Sequence, residues 1–329
     1  MTALARPIVI QTMWRTGGTY LAFALRDQNP VALFYEPLHE DYSRHTQADW
    51  DGFAALGSGA ARGHPAKSFH YLTDFPFLPG AGVAGHRPEF AYRDFRLTRD
   101  DEAPALAAYL RGLVEDAAGR GRRPLFKFCR GFLRQPWLEA ALDPVTVYLA
   151  RHPAGMLASY DRTGPGYFYS GYVRILKENQ GDRVLAPIYD AIARFHPEYG
   201  QVDAVAAGDY LAGYVTAETR RDLFLLFWAL ALASHAAPHI LTLDVHALGA
   251  DAGSRAASEA ALRSHTGLAV DLADAAPLDG GDAAPLQFSQ PETFGPLLSQ
   301  AVAASAPGYD AGGMAPLLRR QLEALLAAG

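Results

Sequence analysis

The chain has 329 residues, half of them hydrophobic, a net charge of −6 and one cysteine, Cys129. That length can bury a large core, and the acidic balance argues against a nucleic-acid partner while leaving room for a local basic pocket. A single cysteine excludes an internal disulfide framework and a cysteine-rich metal site.

The first element expected is a strand at Pro7-Ile8-Val9-Ile10, an apolar β-branched run of the kind buried on both faces of a parallel sheet. It leads into Met13-Trp14-Arg15-Thr16-Gly17-Gly18-Thr19-Tyr20, then a helical segment from Leu21 to Leu25 and a second buried strand, Val31 to Tyr35, closed by Glu36-Pro37. A strand that turns through adjacent glycines into a helix gathers backbone N–H groups around one point, and such a point binds phosphate. Arg15 adds a fixed charge with fork geometry, and Thr16 and Thr19 add hydroxyl donors. The spacing is not that of a Walker A loop, because no lysine stands before Thr19.

Residues 39 to 97 lack sustained periodicity and read as an irregular cap. Thr98, followed by Asp100, Asp101 and Glu102, has the pattern of a helix start, with the helix reaching about Gly119. Arg120, Arg122 and Arg123 then sit at its C-terminal end, where cations are favoured, and read as structural. Pro124 to Cys129 is the next buried strand, with Lys127 and Arg130 at its end.

Val145 to Arg151 is a further buried strand, Pro153 sits where a helix would begin, and Ser159 lies about two turns into that helix. Arg151 is thereby expected at the carboxyl end of a strand, the side on which open α/β sheets bind ligands. Residues 162 to 217 are rich in tyrosine and phenylalanine, most of them expected to pack, with a lid over a ring-bearing acceptor as the alternative. Phe224 to Leu232 reads as an apolar helix, Ile240 to Val245 as a strand, Ser254 to His265 as a polar helix, and 269 to 290 as a loop. The longest apolar run, Leu223 to Ala233, is well short of the roughly 20 residues that span a bilayer. Met1 to Pro7 does not look like a signal peptide, so the cytoplasm is the default expectation.

The order over Arg15 to Tyr20 (basic, hydroxyl, glycine, small, threonine, aromatic) resembles the 5′-phosphosulfate loop of the sulfotransferases that use 3′-phosphoadenosine 5′-phosphosulfate, PAPS. The segment from Val145 to Tyr160 resembles the same family's second motif, an arginine at a strand end and a serine eight residues later, with His152 standing where the family usually has aspartate. The tryptophan-bearing helix, the strand ending near Asp244 and the pair Gly267-Leu268 extend the likeness weakly.

The resemblance implies an α/β, P-loop-like three-layer fold with a central mainly parallel sheet, formed as one domain over 1 to 329. It implies that Arg15, Thr16, Gly17, Gly18, Thr19 and Tyr20 hold the 5′-phosphate and that Arg151 and Ser159 hold the 3′-phosphate. It further implies a sulfuryl transfer that needs no metal, to a small hydroxyl acceptor: a sugar, a phenol or a natural-product alcohol. Glu36 is the expected general base and Arg15 the counter-charge, with His39, His64 and His70 of the cap as competing bases. The basic, glycine-rich C-terminal segment of the cytosolic class is missing, so Lys127 or Arg130 is a candidate to cover the 3′-phosphate. The rival classes are a P-loop kinase or NTPase and a non-catalytic nucleotide-binding module.

Overall fold

Five short strands form the sheet, the first four mostly buried along their length and the fifth, at the sheet edge, only partly. They are β1 (Ile8–Thr12), β2 (Val31–Tyr35), β3 (Arg123–Phe128), β4 (Val145–Ala150) and β5 (Leu241–Asp244). The computed structural model describes residues 6–55, 72–163, 165–195, 215–278, 284–306 and 309–328. All strand pairs are parallel, in the order β2-β3-β1-β4-β5. The chain is therefore α/β, a five-stranded parallel sheet flanked by helices, consistent with a three-layer P-loop-like fold.

Period-two alternation divides the strand residues between two helical layers. Ile8, Ile10, Leu33, Leu125, Val147 and Leu149 face α1 (Gly18–Gln28) and two later helices, α9 (Val245–Ala250) and α10 (Ala252–Thr266). On the opposite face, Val9, Phe34, Phe126 and Phe128 pack with α3 (Pro104–Gly119) and α4 (Gln135–Leu142). α2 (Gln47–Ala55) lies in the cap.

Tyr148 and Ala150 of β4 face a third apolar cluster. It is built from α5 (Pro153–Thr163), α6 (Pro165–Glu178), α7 (Leu185–Phe195) and α8 (Ala217–Ser234), closed by α11 (Pro291–Ser305) and α12 (Pro316–Leu326). Every residue from Leu223 to Ala233 of α8 is buried, which explains its unbroken apolar run. Among the described residues no helix is long and apolar enough to cross a membrane.

One reading of the sequence changes. The helix expected from Thr98 begins instead at Pro104, which occupies a first-turn position. The Asp101 carboxylate accepts both the backbone N–H and the hydroxyl of Thr98, closing a local turn that imitates a helix cap. In the aromatic segment, Tyr169 and Tyr172 are buried in the third cluster as packing residues. Tyr199, Tyr210 and Tyr214 lie outside the described residues. Arg120 and Arg122 pair with buried Asp74, and Arg123 donates to the carbonyls of Arg6 and Thr266, so that cluster is structural.

Candidate active site

The first turn of α1 begins at Gly17, whose φ of +82° is the left-handed conformation that glycine adopts without steric cost. The first helical hydrogen bond runs from the N–H of Leu21 to the carbonyl of Gly17. The N–H groups of Gly18, Thr19 and Tyr20 are therefore the donors that a helix start leaves for an anion. The Thr16 hydroxyl donates to the Met13 carbonyl at 2.9 Å and closes the loop, while Thr19 and Tyr35 share a hydroxyl hydrogen bond of 2.8 Å. Tyr20 packs away from this group, half-buried near Asp271 and Asp274; burial first and then these acids raise its phenol above the usual value.

Arg151 follows β4 directly and is buried. The indole N–H of Trp228 on α8 donates to its carbonyl at 2.9 Å, pinning the strand end. Its guanidinium donates to the Arg15 carbonyl at 3.2 Å, and Nε of Arg15 donates to the Ser159 hydroxyl on α5 at 2.8 Å. The two segments singled out in the sequence thus meet above the carboxyl ends of β1 and β4. Asp244 caps α9 by accepting the N–H of His246 at 3.0 Å, and Val245 next to it borders the loop at Gly17.

Glu36 leaves β2 beside β3, its backbone N–H donating to the Lys127 carbonyl at 2.7 Å. One carboxylate oxygen is bonded by the Lys127 ammonium. The other accepts the N–H of Cys129 at 3.0 Å and lies 3.5 Å from a guanidinium nitrogen of Arg130. Alternation along β3 puts Lys127 on the α1 face, and Gly18 is what lets it pass. A Cβ there would stand 2.6 Å from Thr12 Cγ2 and 3.0 Å from Lys127 Cε. The ion-pair partners of Glu36 are thus Lys127 and Arg130.

Burial opposes ionisation of Glu36, but Lys127, Arg130 and the donated hydrogen bonds outweigh it and hold the carboxyl below its ordinary value. Lys127 remains an ammonium. Burial alone would lower its value, yet Cys129 and Glu36 keep it well above the usual range. Cys129 follows β3 and is buried beside both groups. Burial, then Glu36, pushes its thiol up to about 12, so it is protonated at neutral pH and is no base.

Arg15 and Glu36 share one further property. Their φ angles are +66° and +50°, and neither residue type adopts this region readily. Non-glycine residues held there collect at functional sites.

The charge chain continues outward, as Arg130 also pairs with Glu40 at 3.2 Å and Glu40 with Arg174 of α6 at 3.3 Å. These pairs edge a cleft of about 420 Å³ that reaches Trp14, the residue before Arg15. His39 lines the cleft, its Nδ1 accepting the N–H of Asp41 at 3.3 Å. Burial first, then Arg130, pushes its imidazole down to about 4. His64 and His70 lie outside the described residues. Lys127 and Arg130, considered as covers for the 3′-phosphate, both close on Glu36.

Glu40, Arg174 and Trp14 were not legible as functional residues. They come from three separate elements, and only the fold brings them to one cleft. Among the described residues no group of three or more His, Cys, Asp or Glu is arranged to hold a metal. No protein-family model matches the chain, and a search of curated proteins finds no match to it.

Proposed function

We propose that this chain transfers the sulfuryl group of PAPS to a hydroxyl acceptor. The observation that carries the reading is the meeting of Arg15, Arg151 and Ser159 through hydrogen bonds of 3.2 and 2.8 Å. A nucleotide with phosphate on both the 5′ and 3′ positions needs two anion sites close together. A helix start with its free N–H groups beside two arginines from distant parts of the chain meets that need.

PAPS, when bound, supplies a sulfuryl group activated on its 5′-phosphate. The N–H groups of Gly18 and Thr19 and the Arg15 guanidinium hold that phosphate, the Thr16 hydroxyl keeps the loop closed on the Met13 carbonyl, and Arg15 counters the charge left on the phosphate as the sulfuryl departs. Arg151 and Ser159 hold the 3′-phosphate and so set the register of the donor. Glu36 takes the acceptor's proton on a carboxylate oxygen, and Lys127 and Arg130 keep that carboxylate ionised and oriented. In this reading the enzyme works in the cytoplasm, which suits a lone cysteine kept as a buried thiol.

Calorimetric titration with adenosine 3′,5′-bisphosphate, compared with ATP plus Mg²⁺, tests the reading. Tight binding of the bisphosphate in the presence of a chelator, and weaker binding of ATP–Mg²⁺, is the expected result. Preference for ATP–Mg²⁺ would assign the loop to a kinase or NTPase instead.

A further inference from the structure

The cleft beside Trp14 has a wall of unusual composition. Its volume of about 420 Å³ suits a ring compound of ordinary size. Small-molecule pockets are lined mainly by hydrophobic side chains, yet among the described residues none that lines this one is aliphatic. Its apolar surface comes from Trp14, Trp50 and Tyr92, and the rest is polar or charged. Tryptophan and tyrosine offer an apolar face and a polar tip. The matching ligand has an apolar face of its own and hydroxyls around the rim, which describes a pyranose ring.

The charges narrow the class further. Two guanidiniums, Arg130 and Arg174, face two carboxylates, Glu40 and Asp41. Both arginines close on Glu40, at 3.2 and 3.3 Å, and Arg130 also reaches Glu36. The Tyr92 hydroxyl donates to Glu40 at 3.0 Å, and the Arg174 guanidinium covers the Tyr92 ring at 3.9 Å. An anionic ligand would meet the carboxylates, and a cationic one the guanidiniums. A neutral polyol uses both sets of groups without breaking the pairs.

We propose that this cleft binds a neutral sugar residue, and that a hydroxyl of that sugar is the acceptor. The second half rests on the sulfuryl-transfer reading; the first does not. Trp14, the residue before Arg15, and Arg130, a partner of Glu36, both line the cleft, so it adjoins the donor loop and the charged group that holds the base.

The test is a fluorescence and calorimetric titration of the full chain, with and without adenosine 3′,5′-bisphosphate. The probes are methyl glucoside and methyl galactoside, the corresponding methyl uronides, and 2-naphthol. A neutral glycoside should bind saturably, at least about tenfold tighter than 2-naphthol, which lacks the ring hydroxyls, and than its uronide, whose carboxylate meets Glu40 and Asp41. Trp50→Ala should remove glycoside binding and leave bisphosphate binding intact. Trp50→Phe, which keeps ring packing against Tyr42, should weaken it less and guards against simple misfolding.

Tighter binding of the uronide or of 2-naphthol overturns the proposal, as does bisphosphate binding with no glycoside binding. Glycoside binding without bisphosphate binding would uphold the cleft and overturn the sulfuryl-transfer reading.

Discussion

Arg15 and Ser159, 144 positions apart, are joined by a hydrogen bond of 2.8 Å from Nε to Oγ, while the Arg15 backbone is held at φ +66°. The loop therefore spends steric strain to aim this guanidinium, and the strain can be measured. Arg15→Gly relieves the left-handed conformation and Arg15→Ala does not. The glycine variant should be the more stable of the two by about 1 kcal/mol in urea unfolding, with both losing affinity for adenosine 3′,5′-bisphosphate. Equal stability of the two would show that the backbone is relaxed there.

Arg151→Ala removes a buried fork that also steadies the loop through the Arg15 carbonyl. Bisphosphate affinity should fall by about 2–3 kcal/mol, the usual worth of charge-assisted hydrogen bonds. The affinity for adenosine 5′-phosphate, which lacks the 3′ group, should fall less. Identical losses for the two nucleotides, read by calorimetry, would place the 3′-phosphate elsewhere.

Much of this arrangement was legible because it is local. A buried strand, two glycines and a helix define the loop around Arg15, and strand, Arg151, Pro153 and Ser159 follow one another within a few turns. Glu36 could be chosen because it ends β2. The same locality misled at Thr98, where Asp101 closes a turn with the residue pattern of a helix start. The chain Lys127–Glu36–Arg130–Glu40–Arg174 was out of reach, because strand order and cap packing bring its members together. Tyr172 belongs to an aromatic segment expected mainly to pack, with a lid as the alternative. Its burial against Phe227 and Tyr160 decided for the core.

Glu36 and Lys127 form a buried ion pair, and removing one partner leaves the other charged and unpaired. Glu36→Gln alone should lose about 3–5 kcal/mol of stability. Adding Lys127→Met should recover a large part of that loss without restoring turnover. If the double variant unfolds as readily as the single one, the pair is not what makes Glu36 structurally important.

Acid should weaken the fold in two stages. Burial lowers His39, His86, His152 and His235 from 6.5 to about 4. Between those values the unfolded chain binds more protons, so stability is full above pH 6.5 and falls as pH drops toward 4. Glu40 shifts from 4.5 to about 2: burial would raise it, but Arg130 and its other partners prevail. Its contribution is present above 4.5 and is lost as pH falls toward 2, with Glu36 acting in the same direction. Urea midpoints across this range should decline, and Glu40→Gln should flatten the lower stage. A level profile from pH 6.5 to 4 would mean that these histidines can charge in place.

The most direct test of sulfuryl transfer with Glu36 as base follows label from PAPS, radioactive in its sulfuryl group, into a panel of hydroxyl acceptors. Wild type and Glu36→Gln are compared at a temperature where both are folded, and bisphosphate affinity is measured on the same preparations. Wild type should label an acceptor, and Glu36→Gln should lower kcat by roughly 10²–10⁴ while keeping bisphosphate affinity close to wild type. No label in any acceptor would contradict the transfer. An unchanged kcat in Glu36→Gln would contradict the base.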